Sequence, residues 1–237
     1  MSLPHDGWAE HYERVMHLSF GDTYAELTSV ALDEIRAHLP PPARVVDFGA
    51  GAGRLAVPLA REGYRVTAVD PSDKMLAKLV ERAGETPVET FACPMQEYSA
   101  DTPHDLALCV FSVIAFLVDE RSLLAAFRAA ASALLPGGSL LVDVAHGSVF
   151  ESFEDETGDM IRSVQIEPLG GTLHRYREDT VLRTGNTSVS YRSDFEIRRW
   201  TAEEVLRATG AAGFILTEDL SGRFAGLGAD YFWLRRD

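Results

Sequence analysis

The chain has 237 residues, of which 46% are hydrophobic and 24% are charged, and these are ordinary proportions for a globular protein. Its 36 acidic and 22 basic side chains give a formal net charge of −14 at pH 7. A surface of that sign repels polyphosphates, which argues against nucleic acid or an anionic membrane surface as a partner. At this length one hydrophobic core is sufficient without disulfides or a structural metal.

The cysteines and the apolar runs bear on the cellular compartment. Cys93 and Cys109 show neither CxxC nor Cys/His ligand spacing, which favours free thiols in a reducing compartment. The N-terminus lacks a basic segment followed by an apolar one, and the longest apolar run, 106–118, is too short to span a bilayer. We therefore expect a cytoplasmic protein, with no membrane partner and no metal site.

A helical segment opens the chain, and alternating strands and helices follow it. Apolar residues recur at helical spacing from Leu27 to Leu39, and three prolines at 40–42 end this helix. The predicted strands after it are 44–48, 65–69, 88–92, 106–111 and 139–145. Helices are predicted at 54–62, from Ser72 onward, and around 123–134. Continuous apolar strands between amphipathic helices predict a parallel sheet covered on both faces.

The pattern changes near residue 148. Segments 163–166, 173–183 and 188–199 are β-rich and separated by glycine turns, so we predict antiparallel strands there. The acidic stretch 151–159 is interpreted as a solvated loop. A capping box from Thr201 to Glu204 restarts the α/β pattern, and strands are predicted at 214–218 and 230–234.

These elements predict an α/β fold with a doubly wound, mostly parallel, seven-stranded Rossmann-like sheet, an antiparallel β insertion and an N-terminal helical cap. We expect the cap to comprise residues 1–40 and the α/β core residues 41–147 and 197–237. The β-rich insertion is expected to comprise residues 148–196.

The strongest motif is Val-Val-Asp-Phe-Gly-Ala-Gly-Ala-Gly at 45–53, between a predicted strand and a predicted helix. Glycines let this loop turn tightly against a ligand, and the following helix directs N–H groups at it. The dinucleotide fingerprint requires its third glycine at position 54, where Arg54 stands. The run instead resembles motif I of class I S-adenosylmethionine-dependent methyltransferases, with Asp47 as the acidic residue. A carboxylate there suits a cofactor that carries an ammonium and a sulfonium.

Later segments extend this resemblance over roughly residues 44–145. Asp70 ends the second strand, where a carboxylate can accept hydrogen bonds from both hydroxyls of a ribose. Residues 91–98 resemble the adenine-binding segment of the family, but Pro94 stands where the family usually has Asp. Proline supplies neither a carboxylate nor an N–H group, so Met95 and Gln96 are left to contact the ring.

The resemblance implies S-adenosyl-L-methionine as the cofactor. The residues that we expect to contact it are Tyr24, Asp47, Gly49, Ala50, Gly51, Arg54, Asp70, Pro71, Met75, Pro94, Met95, Gln96, Phe111 and Ser112.

Catalytic residues are hard to predict because aligning a good nucleophile with the methyl group is often sufficient. His146 follows the fifth strand at the edge where ligands bind, which makes it the predicted general base, although it could equally be an ordinary surface histidine. His104 lies at the opposite end of its strand. In the small-molecule methyltransferases that the chain resembles, such a cap and insertion cover the substrate. The resemblance therefore implies that the insertion 148–196 forms a substrate cover and that Tyr12 and Tyr24 close over the cofactor. His174, Tyr176 or Tyr191 could face the acceptor.

The predicted function is transfer of a methyl group to an N or O atom of a small molecule by a monomer or homodimer. Val110–Val113 stands where the amide- and base-methylating branches have Asp/Asn-Pro-Pro-Tyr, which argues against those branches. Two alternatives remain open. One is a non-catalytic binding protein that keeps the fold, suggested by Pro94. The other is an NAD(P)-dependent oxidoreductase, which would share Asp70 but not the glycine spacing.

Overall fold

The computed structural model describes residues 3–237. Seven strands form the central sheet: β1 (Arg44–Phe48), β2 (Arg65–Val69), β3 (Glu89–Phe91), β4 (His104–Cys109), β5 (Leu134–Ala145), β10 (Phe214–Asp219) and β11 (Ala229–Arg236). Their order is β10-β11-β5-β4-β1-β2-β3, and only β11 runs against its neighbours. The sheet confirms the predicted doubly wound, mostly parallel architecture.

Five helices are α1 (Tyr12–His38), α2 (Ala56–Arg61), α3 (Asp73–Ala83), α4 (Glu120–Ala133) and α5 (Ala202–Ala211). Helices α1, α2 and α3 bury Ile35, Leu59 and Leu79 against one face of the sheet. Helices α4 and α5 bury Phe127 and Val205 against the other. Each such side chain contributes roughly 1.5–3 kcal/mol, so the two cores hold the strand ends in fixed positions.

A second sheet of four antiparallel strands comprises β6 (Phe153–Glu156), β7 (Met160–Gly170), β8 (Leu173–Thr184) and β9 (Thr187–Arg198), in that order. Strand β6 lies inside the stretch that we interpreted as a loop, so that interpretation is wrong. The stretch pairs with β7 because its side chains alternate: Phe153 is half-buried beside Val164, whereas the carboxylates of Glu154 and Glu156 remain exposed.

The N-terminal segment joins this second sheet. Trp8, Val15 and Met16 form an apolar cluster with Met160 and Leu182. Gly21 interrupts α1 with φ 48° and ψ −125°, so the first part of the helix leaves the direction of the part that packs on the central sheet. We call residues 3–20 together with β6–β9 the lid.

No helix within residues 3–237 is both long and apolar enough to cross a membrane.

Candidate functional site

The glycine loop after β1 has the backbone that its sequence predicts. Gly49, Gly51 and Gly53 have φ values of 72°, 53° and 82°, in the region that favours glycine. A Cβ on Gly49 would lie 2.4 Å from Val113 Cγ2, and one on Gly53 would lie 2.7 Å from Leu79 Cγ. These two glycines therefore allow close packing as well as a tight turn. Because the turn extends through residue 55, α2 begins two residues later than predicted.

Asp70 lies at the carboxyl end of β2 and organises the loop. Its Oδ2 accepts a hydrogen bond from Gly51 N at 2.9 Å, and its Oδ1 accepts one from Ser72 N at 2.9 Å. Burial raises the pKa of Asp70, while the two backbone N–H groups oppose that shift. The carboxylate is thus oriented by main-chain N–H groups on both sides.

Asp47 and Arg54 provide opposite charges beside the loop. Asp47 is only 5% exposed, and burial raises its pKa to about 7 although Arg54 acts in the opposite direction. The Arg54 guanidinium lies 4.3 Å from the ring centre of Phe111, and its Nη1 donates to Thr28 Oγ1 at 3.1 Å. A carboxylate and a guanidinium held this way can bind the ammonium and carboxylate of an amino acid group.

Asp143 was missed by the sequence analysis, although a single acid within an apolar strand could have indicated it. It is 1% exposed in β5, and its two carboxylate oxygens accept from Ser112 N at 2.9 and 3.1 Å. Phe111 and Ser112 have φ values of 71° and 62°, which are unfavourable for residues other than glycine. Asp143 therefore fixes a strained turn after β4. Burial raises the pKa of Asp143 to about 7.

All of these groups face one cavity of about 590 Å³, which lies within the usual range of roughly 300–1,000 Å³ for small-molecule sites. Every residue predicted to contact the cofactor lines it: Tyr24, Asp47, Gly49, Ala50, Gly51, Arg54, Asp70, Pro71, Met75, Pro94, Met95, Gln96, Phe111 and Ser112. The cavity thus joins residues from the glycine loop, the ends of β2 and β4, and α1.

The other predicted site residues divide into two groups. Tyr12, predicted to close over the cofactor, and Tyr176, predicted to face the acceptor, line the cavity, whereas His146, His174 and Tyr191 are outside its lining. The His146 ring is exposed, and its Nε2 lies 3.0 Å from Asp230 Oδ1. His146 as general base stays a prediction to which the cavity adds no support.

His104 is buried at the start of β4 between Ala133 O and Thr67 Oγ1. This contact agrees with its position at the end of the strand away from the site.

The lid contributes cavity residues that the sequence analysis did not select. His5 and Arg162 are the principal ones, and Phe20, Phe116 and Phe153 surround them with aromatic rings. The sequence did not indicate these residues because the lid is built from contacts between segments that are distant in the sequence. Trp8 Nε1, for instance, donates to Ser193 Oγ at 3.2 Å.

Comparison with known proteins agrees with this geometry. Residues 45–138 match the family described as methyltransferase domain, and these residues run from the glycine loop to the start of β5. This part of the chain, which includes the glycine loop and Asp70, is therefore similar to a methyltransferase domain.

Two curated relatives illustrate the range of acceptors in similar methyltransferases. The ubiquinone biosynthesis O-methyltransferase of Xanthomonas campestris pv. campestris (strain B100) is 32% identical over 120 residues, covering 49% of each chain. The tRNA 5-carboxymethoxyuridine methyltransferase of Escherichia coli (strain K12) is 29% identical over 171 residues, covering 67% of this chain and 63% of the relative. The chain therefore spans less than two thirds of these relatives.

A solved structure with a similar fold is an amino pentose methyltransferase from Micromonospora echinaspora with S-adenosylmethionine bound. It shares 23% identity with a TM-score of 0.73, covering 96% of both chains. At this identity the likeness concerns the fold.

The residues of the cavity fit S-adenosylmethionine, the cofactor of this methyltransferase family. Asp70 suits the ribose hydroxyls, and Asp47 with Arg54 suits the amino acid end. The Met95 side chain is buried beside Pro94 and Gln96 at the predicted adenine position. Pro94 still lacks the usual carboxylate, so the adenine amine would need another acceptor, such as the Gln96 amide oxygen.

Proposed function

We propose that this methyltransferase transfers a methyl group from S-adenosylmethionine to an N or O atom of a small molecule. The observation that carries the proposal is the single cavity, in which the cofactor residues continue into a chamber closed by the lid. The lid would exclude water from the reacting groups and restrict the size of the acceptor.

S-adenosylmethionine supplies an electrophilic methyl group attached to a sulfonium. The chain itself binds the cofactor and the acceptor and aligns them for the reaction. Asp70 and the Gly51 N–H group orient the ribose end, and Asp47 with Arg54 holds the amino acid end. The Asp143-fixed turn sets the position of Phe111 against Arg54. Such alignment can supply on the order of 7–11 kcal/mol of a displacement barrier.

A small acceptor is favoured over RNA by charge as well as by enclosure. The net charge of −14 opposes a polyphosphate, and Arg54 and Arg162 are the only cationic side chains that line the cavity in residues 3–237. Catalysis as a monomer or homodimer in the cytoplasm is part of this proposal, and the two free cysteines support its reducing compartment.

The test is a thermal-shift titration with S-adenosylhomocysteine, because a ligand that binds only the native state raises its stability. We expect a saturable rise in Tm for the wild type and a much smaller one for Asp70→Ala. Asp230→Ala, which alters a partly exposed residue outside the cavity, serves as the control. Stabilisation by NAD but not by S-adenosylhomocysteine would instead support the oxidoreductase alternative.

A further inference from the structure

The chamber under the lid has mainly apolar and aromatic walls. They comprise Met16, Phe20, Phe116, Val149, Phe153 and Leu227. Its polar lining residues are His5, Arg162, Tyr176 and Glu196. The chemistry of these four side chains indicates which acceptor the chamber would accept, and the inference below rests on the proposed function.

Arg162 and Glu178 form a buried ion pair, so neither charge is free to pair with a charged substrate. Arg162 Nε donates to Glu178 Oε1 at 2.8 Å, and the two side chains are 4% and 1% exposed. Glu178 also accepts from Thr180 Oγ1 at 2.9 Å and from Tyr176 OH at 3.0 Å. A charged acceptor would lose its hydration here without gaining an unpaired counter-ion.

The remaining ionisable groups near the chamber do not supply an unpaired charge for a substrate either. Glu196 is exposed, so water screens its charge. Glu13 belongs to the cofactor side, where it contacts Tyr24 OH at 3.3 Å and Arg82 at 3.2 Å. A nucleotide-linked acceptor would require cations for its phosphates, and Arg162 is already paired.

Among the polar residues of the chamber, His5 has a buried ring nitrogen that is free to form a further hydrogen bond. Its ring is edge-on to Trp8, Tyr12, Phe116 and Phe195 at centroid distances of 5.0–6.0 Å. Its Nδ1 is buried and has no hydrogen-bond partner within the described chain. Burial lowers the pKa of His5 to about 4, so the imidazole is neutral at pH 7.

We propose that the acceptor is an uncharged aromatic alcohol of the phenol class, and that its hydroxyl donates a hydrogen bond to the His5 imidazole. The aromatic walls match the ring, and a neutral hydroxyl matches a chamber whose ion pair is internally satisfied. His5 also stands between Tyr12, which packs on the glycine loop, and Phe116, which follows β4. Both neighbours belong to the elements that surround the cofactor site.

In the reaction, the acceptor oxygen forms a bond to the methyl carbon while the carbon–sulfur bond breaks and its electron pair stays on sulfur. The hydroxyl proton passes to the imidazole nitrogen and then to water. This proton becomes strongly acidic as the carbon–oxygen bond forms, so a weakly basic imidazole is adequate. The same imidazole would be a poor base for an alkylammonium ion, which holds its proton far more tightly.

Three probes of matched shape test the charge preference: 4-phenylphenol, 4-phenylbenzoate and 4-phenylbenzylamine. They are respectively neutral, anionic and cationic at pH 7. Each is added to the protein saturated with S-adenosylhomocysteine, and the further change in Tm is measured. We expect the phenol to bind at least tenfold more tightly than either ion. Tighter binding of the amine or the acid, or no preference, overturns the inference.

Binding of S-adenosylhomocysteine alone distinguishes failure of this inference from failure of the proposed function. If it stabilises the protein but the phenol is not preferred, only the acceptor class is wrong. If it does not bind, the proposed function is wrong, and the acceptor inference is rejected with it.

Substitution of His5 tests its role. His5→Phe keeps an aromatic ring but removes the nitrogens, and we expect kcat for the phenol to fall about 100-fold with unchanged affinity for S-adenosylhomocysteine. His5→Asn suits the left-handed backbone at φ 66° and should retain phenol binding better than His5→Phe. His17→Asn, which alters an exposed histidine outside the cavity, is the matched control. Equal kcat in His5→Phe and the wild type, or an equal loss in His17→Asn, overturns the role.

Discussion

The raised pKa of Asp47 makes cofactor affinity depend on pH in a predictable direction. Its carboxyl has a pKa of about 7, raised mainly by burial, so it is mostly protonated at pH 5. An ammonium group bound beside it favours the ionised form, so binding at low pH requires the loss of a proton. Affinity should therefore fall as pH falls below 7, by up to tenfold per unit.

The expected size of this effect follows from the pKa. At pH 8 the carboxyl is ionised, and at pH 5 only about 1% of it is, so the affinity for S-adenosylhomocysteine should fall roughly 100-fold. This factor corresponds to about 2.7 kcal/mol. His5 does not contribute, because its pKa of about 4 leaves it neutral across this range.

Isothermal titration calorimetry with S-adenosylhomocysteine from pH 5 to pH 8 measures the profile. Asp47→Asn should bind more weakly at pH 8 and show a shallower profile than the wild type, because the amide does not titrate and the remaining slope comes from Asp70, whose pKa is also raised. Asp143→Asn is the matched control, since Asp143 also has a pKa of about 7 but contacts the Ser112 main chain. Constant wild-type affinity, or a steep profile that persists in Asp47→Asn, would refute the assignment of Asp47.

Three further predictions concern stability and binding. Because burial raises the folded-state pKa values of Asp47 and Asp143 above 3.8, the contribution of these two carboxyls to the stability of the unliganded protein should fall as pH rises from about 4 to 7, whereas the lowered pKa of His5 acts in the opposite direction. Urea unfolding of the wild type and of Asp143→Asn measures the difference in slope, and equal slopes contradict the prediction. Asp70→Asn should weaken S-adenosylhomocysteine binding by tenfold or more, since hydrogen bonds to a charged acceptor contribute roughly 1.5–3 kcal/mol each; unchanged calorimetric affinity contradicts it. Gly21→Ala should lower the free energy of unfolding by about 1–3 kcal/mol, because alanine is strained at the backbone angles of this position. Gly210→Ala is the control and should not be destabilising, because Gly210 lies in a helix with open space around it. Equal effects of the two substitutions would rule out strain at Gly21.

The central sheet and the cofactor side of the cavity could be predicted because local sequence determines them. Gly49, Gly51 and Gly53 form a turn that few other residues tolerate, and it connects a buried strand to a helix. Asp70 follows the next strand, and parallel strands end at the same edge. The positions of these groups therefore follow from the strand–helix alternation alone.

The acceptor side could not be predicted in the same way, because it is built from contacts between distant segments. Arg162 on β7 donates to Ser19 Oγ on α1, and Arg14 Nη1 donates to Thr184 Oγ1 at 2.6 Å. Nothing in the sequence near His5 indicates that its ring would meet Phe195. His146 illustrates the opposite case: its chain position was suitable, but its side chain turns to Asp230.

The interruption of α1 at Gly21 separates the part of the helix that belongs to the lid from the part that packs on the central sheet. Residues 6–20 are held to the second sheet by the apolar cluster around Trp8 and by Arg14. The same segment is also tied to α3, because Glu10 and Glu13 pair with Lys78 and Arg82. Beyond Gly21, α1 packs Leu27 and Ile35 into the central core. The left-handed backbone of Gly21 therefore lets one helix contribute both to the core and to the wall of the cavity.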